Sequence, residues 1–377
     1  MIKKRILIVC SSDRSLVRFR GDFIQDLIKS NYEVFTAAPN LSKPIVEKLR
    51  AFGATPLSYE LQRAGISPLG DLRSIRQLKN LITENNIDLV FPYTIKPVIY
   101  SSMAANKLNV PVISLITGLG FTFTGISQKA RFLQKISEFL YKKSIRKNRW
   151  VVFQNRDDLK LFENVKILTQ DQKTYVVDGS GINLDRFPHR VNEKKTDNII
   201  FVFVARLIRE KGIHHFINAA EKLKQEFPNA EFHILGAPDK TPSAIKLERL
   251  IDLNEKKVVK YHGIQNDVTH FLQESDVFVL PTYYREGIPR SILEALSIGM
   301  PIITTDSPGC RETVVNNENG KIIRPNDLED LVKSMRFFLE KPKTIKKMGI
   351  HSRSYAENRF DVKIINKKLI DLIKQEI

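Results

Sequence analysis

Two glutamates in the second half of the chain have a spacing that suits ligand binding. Glu286 and Glu294 are separated by seven residues, and both follow the apolar run at 277–281. This spacing is a little over two helical turns, so a helix that begins near Pro289 contains Glu294 and leaves Glu286 in the preceding loop. Carboxylates placed in this way can bind two parts of one ligand. The alternative is a pair of solvated carboxylates on a helix surface, where such spacings are common.

Two cations lie upstream, in a turn that suits a phosphate group. Arg206 and Lys211 follow the apolar run at 199–204 and precede a helical pattern at 213–226. Cationic side chains near the start of a helix bind anions well, because the backbone N–H groups there add to their positive charge. Gly212, in the same turn, lets the backbone approach an anion closely. The alternative is a solvated basic turn.

The elements that must position these side chains alternate between strands and helices. The first series predicts strands at 5–10, 32–37, 89–92 and 110–116, and helices at 19–29, 43–52, 71–84 and 100–108. The second series predicts strands at 199–204, 231–235, 258–261, 277–280 and 302–304, and helices at 213–226, 243–252, 266–274 and 290–298. This order is typical of βαβ units, which form parallel sheets with helices on both faces.

The two series predict an α/β fold with two Rossmann-like domains, which face each other across a cleft at the carboxyl ends of their strands. We predict that the first domain spans 1–187 and the second 188–354. The final helix, predicted at 363–375, can pack on either domain, and we assign the segment 355–377 to the first.

The order of the candidate residues along the chain resembles that of a known enzyme family. Arg206, Lys211, Glu286 and Glu294, with His262 between the two pairs, are similar in order to the retaining GT-B glycosyltransferases of family 4. That family includes bacterial transferases that build lipid-linked oligosaccharides and O-antigens. The resemblance covers nearly the whole chain and is most specific within its second half.

The resemblance implies a role for each candidate residue. Arg206 and Lys211 would bind the diphosphate of a nucleotide-sugar donor, Glu286 the hydroxyl groups of the donor sugar, and Glu294 the ribose. The catalytic candidates are therefore Glu286, Arg206 and Lys211. Two backbone segments complete the donor site: the segment beside the base is His262, Gly263 and Ile264, and the turn that faces the sugar and phosphate is Gly287, Ile288 and Pro289.

The chemistry of the donor half predicts catalysis without a metal. A leaving nucleoside diphosphate gains negative charge as the glycosidic bond breaks, and two cations at a helix N-terminus can stabilise that charge. The sequence has no Asp-x-Asp element, which metal-dependent transferases often use to hold the diphosphate. We therefore expect no cofactor and no metal, only a nucleotide-sugar donor that is UDP-linked.

The first half of the chain matches the family more loosely and predicts an acceptor side. The candidates there are Arg18, Arg20, Lys96, Gly118 and Gly120. Many relatives place a histidine where this chain has residues 94–96, so the polar helper on the acceptor side is not assigned, and Lys96 can instead bind an acceptor phosphate. The glycine-rich segment 118–125 predicts a cleft loop, and the alternative is a tight turn with two core phenylalanines.

The charge of the chain predicts an anionic partner. Lysine and arginine outnumber acids 60 to 42, for a net charge of +18, which indicates phosphates, nucleic acid or an acidic membrane. The segment 129–149 has eight basic residues and one acid, Glu138. Its apolar residues recur at helical spacing, so we predict an amphipathic helix on anionic lipid, contacted through Lys142, Lys143, Arg146 and Lys147. The alternative is a helix with an apolar face in the core and solvated lysines.

The remaining signals predict the compartment. Two cysteines far apart, Cys10 and Cys310, argue against a disulfide framework and fit a reducing environment. The short apolar run after the basic N-terminus predicts a first β-strand rather than a signal peptide, and no stretch is long enough to span a membrane. We therefore expect a cytoplasmic protein, peripheral on the inner face of the cell membrane.

These observations lead to one main hypothesis and two alternatives. The main hypothesis is a retaining transferase that moves a hexose or N-acetylhexosamine from a UDP-sugar to a saccharide on an undecaprenyl diphosphate carrier, in bacterial surface polysaccharide or glycan assembly. The first alternative is a nucleotide-sugar epimerase or hydrolase of the same architecture, which needs no acceptor. The second is a nucleic-acid-binding protein, which charge alone indicates, because no basic–aromatic nucleic-acid motif is present.

Overall fold

The chain folds into two compact units. The computed structural model describes residues 3–62, 67–120, 123, 128–190, 198–239, 241 and 243–377. The first unit comprises Met1–Gly181 and Val362–Ile377, and the second comprises Ile182–Asp361. The division falls a few residues before the predicted domain boundary at 187/188, and the returning C-terminal segment begins at Val362 rather than at 355.

The first unit contains a parallel sheet. Strands β1 (Arg5–Val9), β2 (Glu33–Ala38), β3 (Thr55–Ser58) and β4 (Leu89–Pro92) have the order β3-β2-β1-β4. Strands β5 (Ile113–Ile116), β6 (Trp150–Phe153) and β7 (Thr174–Val176) follow in the order β5-β6-β7. Parallel bridges from Val90 to Val112 and from Tyr93 to Leu115 join β4 to the segment of β5. The two groups of strands therefore form one continuous parallel arrangement.

Helices cover both faces of this sheet. They are α1 (Asp13–Lys29), α2 (Lys43–Ala51), α3 (Pro68–Glu84), α4 (Ile95–Asn106), α5 (Gln128–Ser144), α6 (Arg156–Asn164) and the final helix α13 (Val362–Lys374). One apolar cluster joins the sheet to α1, α2 and α13, and a second joins it to α3 through α6. The final helix thus packs in the first unit, where Asn366 Nδ2 donates to Asp26 Oδ2 at 2.8 Å.

The second unit contains another parallel sheet. Its strands are β8 (Ile200–Val204), β9 (Glu231–Leu235), β10 (Lys260–Tyr261), β11 (Val277–Leu280), β12 (Ile302–Thr305) and β13 (Gly320–Ile323), in the order β10-β9-β8-β11-β12-β13. The chain reverses its direction across the sheet between β8 and β11. Loops diverge from such a switch point at the carboxyl edge, and ligands bind there in open α/β sheets. This edge brings the segments after β8 and β11 together.

The helices of the second unit are α7 (Ile213–Glu226), α8 (Leu247–Glu255), α9 (Thr269–Glu274), α10 (Arg290–Ile298), α11 (Leu328–Glu340) and α12 (Lys343–Tyr355). A continuous apolar core surrounds the sheet, and strands β8 and β11 are buried along their whole length. A strand buried on both faces is a continuous apolar run in the sequence, which is why β11 has the predicted bounds. Helices α7 and α10 also have the predicted bounds.

Several predicted helices have other bounds in the structure. Helix α1 begins at Asp13 rather than at 19, and α4 begins at Ile95 rather than at 100. The first turn of α1 is polar, and that of α4 contains Pro97, which the first turn of a helix tolerates, so apolar periodicity did not reveal either start. Helix α8 spans Leu247–Glu255 rather than 243–252, because Ile245 N donates to Leu207 O at 3.0 Å and holds that segment extended beside the turn after β8.

Candidate functional site

The segment between β8 and α7 carries the two predicted phosphate-binding cations, Arg206 and Lys211. Residues Arg209–Lys211 form one 3-10 turn, and Gly212 follows with φ +82° at the start of α7. A Cβ atom at Gly212 would lie 2.2 Å from the carbonyl oxygen of Pro281. Only glycine permits this approach, so Gly212 allows the turn to pack closely against the end of β11.

One backbone carbonyl joins this turn to the loop after β11. Glu210 O accepts hydrogen bonds from the N–H groups of Tyr283 and Tyr284, at 3.0 and 3.1 Å. It also accepts from Thr282 Oγ1 at 2.9 Å. The loop that carries Glu286 is therefore attached directly to the turn that carries Lys211.

The attachment brings Lys211 and Glu286 into contact. Lys211 Nζ donates to Glu286 Oε1, and the two side chains are 11% and 14% exposed. A buried charge is costly unless it is paired, and here each group pairs with the other. Lys211, which is predicted to bind a phosphate, and Glu286, which is predicted to bind a sugar, thus form an ion pair.

Tyr284 lies beside both predicted cations. The Arg206 guanidinium carbon lies 5.6 Å from the centroid of the Tyr284 ring, and Lys211 Nζ lies 5.5 Å from it. Arg206 Nη1 also donates to Asp239 Oδ2 at 2.7 Å, in the loop after β9. The ring therefore holds the two cations near one another. Sequence reasoning missed both Tyr284 and Asp239, and the signal that could have found them was their place in loops that follow strands, four positions after β11 and β9 end.

Helix α10 contains Glu294, as predicted, and Glu286 lies in the loop before it. The helix follows Pro289, whose φ is −63°, and Ile292 N donates to Pro289 O at 3.1 Å. The Glu294 side chain is buried, and its Oε1 lies 3.5 Å from Nε of Arg290 one turn earlier. A glutamate is seldom fully buried unless it is paired, and here Arg290 supplies the neighbouring positive charge. Its assignment to a ribose stays a prediction.

The loop after β12 fixes the backbone of the turn between the two glutamates. A Cβ atom at Gly309, whose φ is +77°, would lie 1.5 Å from Gly287 O and 3.0 Å from Glu286 O. The neighbouring Cys310 is buried, and its burial, followed by the charge of Glu286, raises the pKa of the thiol to about 12. The thiol is therefore protonated at neutral pH and is not a nucleophile.

The predicted base-binding segment lies at the same edge, after β10. His262 N donates to Ile234 O at 2.9 Å, and Gly236 N donates to Gly263 O at 2.8 Å. The His262 ring lies 4.9 Å from that of His233 and 4.8 Å from that of Phe271. Burial, then the charges of His233 and Lys260, lowers the pKa of His262 to about 4.

Backbone contacts tie this segment to the cation-bearing turn. A Cβ atom at Gly236 would lie 1.9 Å from Ala205 O, next to Arg206. Ile264, which follows Gly263, exposes most of its side chain. The structure therefore brings Arg206, Lys211, Glu286 and the 262–264 segment to one edge of the second unit. What each contacts in a ligand stays a prediction.

The predicted acceptor-side arginines differ in their surroundings. Arg18 is exposed on α1, and its guanidinium carbon lies 5.9 Å from the Phe19 ring centroid. Arg20 is buried, with its guanidinium carbon 5.4 Å from the Tyr93 ring centroid. The Arg20 side chain is enclosed within the first unit and packs beside Tyr93, which follows β4. Its assignment to the acceptor side stays a prediction, as does that of Arg18.

The other acceptor-side candidates are also held by their own unit. Lys96 Nζ donates to Gln62 O at 2.8 Å and to Asp71 Oδ1 at 3.2 Å. Gly118 and Gly120 have φ of +100° and +59°, and the intervening Leu119 is buried. These φ values and the burial of Leu119 are compatible with a tight turn, and the assignment of the segment to a cleft loop stays a prediction. Positions 121–122 and 124–125 of the predicted loop lie outside the described residues.

The predicted membrane-contact residues lie in the last turn of α5 and in the turn that follows it. Lys142 is half-buried, whereas Lys143, Arg146 and Lys147 are exposed. Arg146 and Lys147 belong to a 3-10 turn, Ile145–Lys147, rather than to the helix itself.

Among the residues that the structure describes, no helix is long and apolar enough to cross a membrane. The same residues contain no group of three or more His, Cys, Asp or Glu side chains that could hold a metal ion.

Comparison with known proteins identifies both halves of the chain. Residues 5–155 match the family described as "Glycosyl transferase 4-like", and residues 185–355 match "Glycosyl transferases group 1". The chain is therefore a glycosyltransferase of the GT-B type, built from these two domains. This confirms the family resemblance and the two-domain α/β fold with parallel sheets that the sequence predicts.

Two relatives by sequence and one solved structure are similar to most of the chain. The chain is 29% identical, over 90% of each chain, to the N,N'-diacetylbacillosaminyl-diphospho-undecaprenol alpha-1,3-N-acetylgalactosaminyltransferase of Campylobacter jejuni. It is 28% identical, over 82% of this chain and 80% of the relative, to the UDP-Gal:alpha-D-GlcNAc-diphosphoundecaprenol alpha-1,3-galactosyltransferase of Escherichia coli. The crystal structure of Anabaena HepE in complex with UDP has the same fold, with a TM-score of 0.75, 16% identity, and coverage of 99% of this chain and 100% of that one.

Proposed function

We propose that the protein is a retaining glycosyltransferase that moves a hexose or N-acetylhexosamine from a UDP-sugar to a saccharide on undecaprenyl diphosphate. The single observation that carries the proposal is the contact between Lys211 and Glu286 beside Tyr284, at the switch point of the second sheet. The relatives named above act on sugars linked to diphospho-undecaprenol, and one structural neighbour binds UDP. Such a reaction belongs to bacterial surface polysaccharide or glycan assembly.

The charges at this edge suit a nucleotide diphosphate. Arg206 and Lys211 supply two cations, and the start of α10 adds the positive end of a helix dipole. As the diphosphate approaches Lys211, it competes with Glu286 for the ammonium group. The carboxylate is then available to accept hydrogen bonds from hydroxyl groups of the transferred sugar. Glu294, on the helix behind this loop, is the candidate for the ribose.

The arrangement supports a same-face mechanism. The bond from the anomeric carbon to the diphosphate oxygen breaks, the acceptor oxygen bonds to that carbon on the same face, and the acceptor proton passes to the departing phosphate. Arg206 and Lys211 stabilise the charge that develops on the diphosphate. Cys310, beside Glu286, stays protonated because burial raises its pKa to about 12. A double displacement through this thiol is therefore disfavoured.

We further propose that this chemistry needs no metal, because Arg206 and Lys211 supply two cations where the diphosphate is proposed to bind. EDTA should leave the rate of transfer nearly unchanged, and complete loss of activity that returns with added divalent cation would refute this part. The lipid-linked acceptor also implies that the reaction takes place at the inner face of the cell membrane.

The deciding experiment pairs a panel of UDP-sugars with a saccharide on undecaprenyl diphosphate in detergent. One UDP-sugar should yield a product with the anomeric configuration of the donor, as determined by NMR. Inversion of configuration would contradict retention. Rapid consumption of a UDP-sugar without acceptor would favour the epimerase or hydrolase alternative. The variant Glu286→Ala should transfer much more slowly with every donor, which controls for contaminating transferases.

A further inference from the structure

Helix α5 exposes two phenylalanines on the side turned away from the core. Phe132 is 63% exposed and Phe139 is 55% exposed. Residues three, four and seven positions apart share one side of a helix, so Phe132, Lys135, Phe139 and Lys143 form one row. Tyr141, on the opposite side, is buried against the first unit. The helix thus has one apolar side in the core and a second apolar side in solvent.

Basic side chains flank these phenylalanines. Arg131, Lys135 and Lys143 are exposed, and Lys143 Nζ lies 4.7 Å from the centroid of the Phe139 ring. We call Arg131, Phe132, Lys135, Phe139 and Lys143 the basic aromatic face. In the sequence from 128 to 147 the one acid is Glu138, which accepts a hydrogen bond from Gln134 Nε2 at 2.8 Å.

We propose that the basic aromatic face docks on an anionic lipid bilayer, with Phe132 and Phe139 inserted among the lipid chains and the cations on the headgroups. The inference rests on the proposed function, because a polyprenyl-linked acceptor is anchored in such a bilayer. It also changes the sequence-based prediction, which assigned the contact to Lys142, Lys143, Arg146 and Lys147. Insertion of aromatic side chains, with basic residues beside them, is how interfacial helices bind.

Charge complementarity favours a bilayer over a second copy of this chain. Face-to-face pairing of two such helices would bring their cations together, and like charges oppose that association. An anionic surface instead attracts every cation of the face at once. The adjoining turn adds Arg146 and Lys147, both exposed, and so extends the same charge beyond the end of the helix.

A second helix provides a matched control within the same molecule. On α8, Leu247 is 43% exposed and Ile251 is 47% exposed, and the two lie one helical turn apart. Their neighbours include Glu248, Asp252 and Glu255. Helix α5 therefore exposes apolar side chains among basic residues, whereas α8 exposes them among acidic residues. If apolar exposure alone drove membrane binding, both helices would contribute.

The test is flotation of the full-length protein with vesicles of phosphatidylglycerol and phosphatidylcholine, and with vesicles of phosphatidylcholine alone. The double variant Phe132→Ser/Phe139→Ser should lose more than about tenfold in partition to the anionic vesicles, because two apolar side chains no longer enter the bilayer. Leu247→Ser/Ile251→Ser should bind as the unchanged protein does. Lys135→Gln/Lys143→Gln should weaken binding to the anionic vesicles, most at low salt. Unchanged binding of the phenylalanine variant would overturn the proposal.

Activity measurements separate this inference from the proposed function. Because the two phenylalanines are exposed, Phe132→Ser/Phe139→Ser should keep its melting temperature and its transfer to a short-chain, water-soluble acceptor, and lose transfer to the undecaprenyl acceptor in vesicles. Equal loss with both acceptors would overturn a docking role. If the unchanged protein transfers sugar to neither acceptor, the proposed function fails, whereas the flotation result stands by itself.

Discussion

The ammonium group of Lys211 contacts the carboxylate of Glu286, although the two residues are 75 positions apart along the chain. Lys211 follows β8 and Glu286 follows β11, and these strands are neighbours at the switch point of the second sheet. The carbonyl of Glu210 accepts three hydrogen bonds from the loop after β11 and so fixes the contact. Removal of one partner leaves the other as a nearly buried charge without its counterion.

We expect Lys211→Ala to lose most of the transferase activity. An ammonium group that stabilises charge on the leaving group contributes about 3 kcal/mol to the transition state, which corresponds to a fall in kcat of about a hundredfold. Steady-state kinetics with saturating acceptor measures the change. Lys222→Ala is a matched control, because Lys222 forms an exposed ion pair with Glu329 in the same unit. A similar loss in both variants would mean that the effect is not local to the site.

The two glutamates should separate into different functions. Glu294→Ala should weaken UDP binding, because the proposed contact is with the ribose, which UDP contains. Glu286→Ala should lower kcat more than it lowers UDP affinity, since its proposed partners are hydroxyl groups that UDP lacks. Calorimetric titration with UDP, beside kinetics with the sugar donor, measures both quantities. Equal losses of affinity and turnover in both variants would refute the division.

Tyr284 should act by positioning the two cations rather than by touching the reacting atoms. Tyr284→Leu removes the ring beside Arg206 and Lys211, and we expect UDP affinity to fall by about 1 kcal/mol, as for loss of a partly desolvated cation–π contact. Tyr284→Phe keeps the ring and should lose less. A merely structural role for the ring would lower the melting temperature of the leucine variant without a change in UDP affinity.

Long apolar runs made the central strands predictable. Strand β11 and helices α7 and α10 have the predicted bounds, because their apolar residues are buried and their ends carry Gly212, Pro289 or Gly299. Strands β3, β6, β7 and β13 were not predicted. The residues of β3 and β7 are only partly buried or exposed, so no apolar run or alternation marks these two strands in the sequence. Strand β6 does contain a buried apolar run, but a run this short does not by itself distinguish a strand from a helix segment.

The candidate site was predictable in its residue types but not in its contacts. The order of Arg206, Lys211, Glu286 and Glu294 along the chain was enough to select them. The contact of Lys211 with Glu286, and the place of Tyr284 beside both cations, depend on which loops meet at the carboxyl edge of the sheet. That meeting follows from strand order and from the close approach at Gly212, neither of which local sequence encodes.

The neutral state of His262 should make the second unit sensitive to acid. Burial, followed by the charges of His233 and Lys260, lowers the pKa of His262 from 6.5 to about 4 in the folded chain. Between these values the unfolded chain binds the proton more readily than the folded chain, so this group lowers the free energy of unfolding as the pH falls from 6.5 towards 4. His262→Gln cannot take up a proton and should show a shallower loss of stability in that range. Urea unfolding at several pH values measures the slope, and His351→Gln, a substitution of an exposed histidine, is the control that should leave it unchanged. An identical slope in His262→Gln would show that His262 is not the group that titrates.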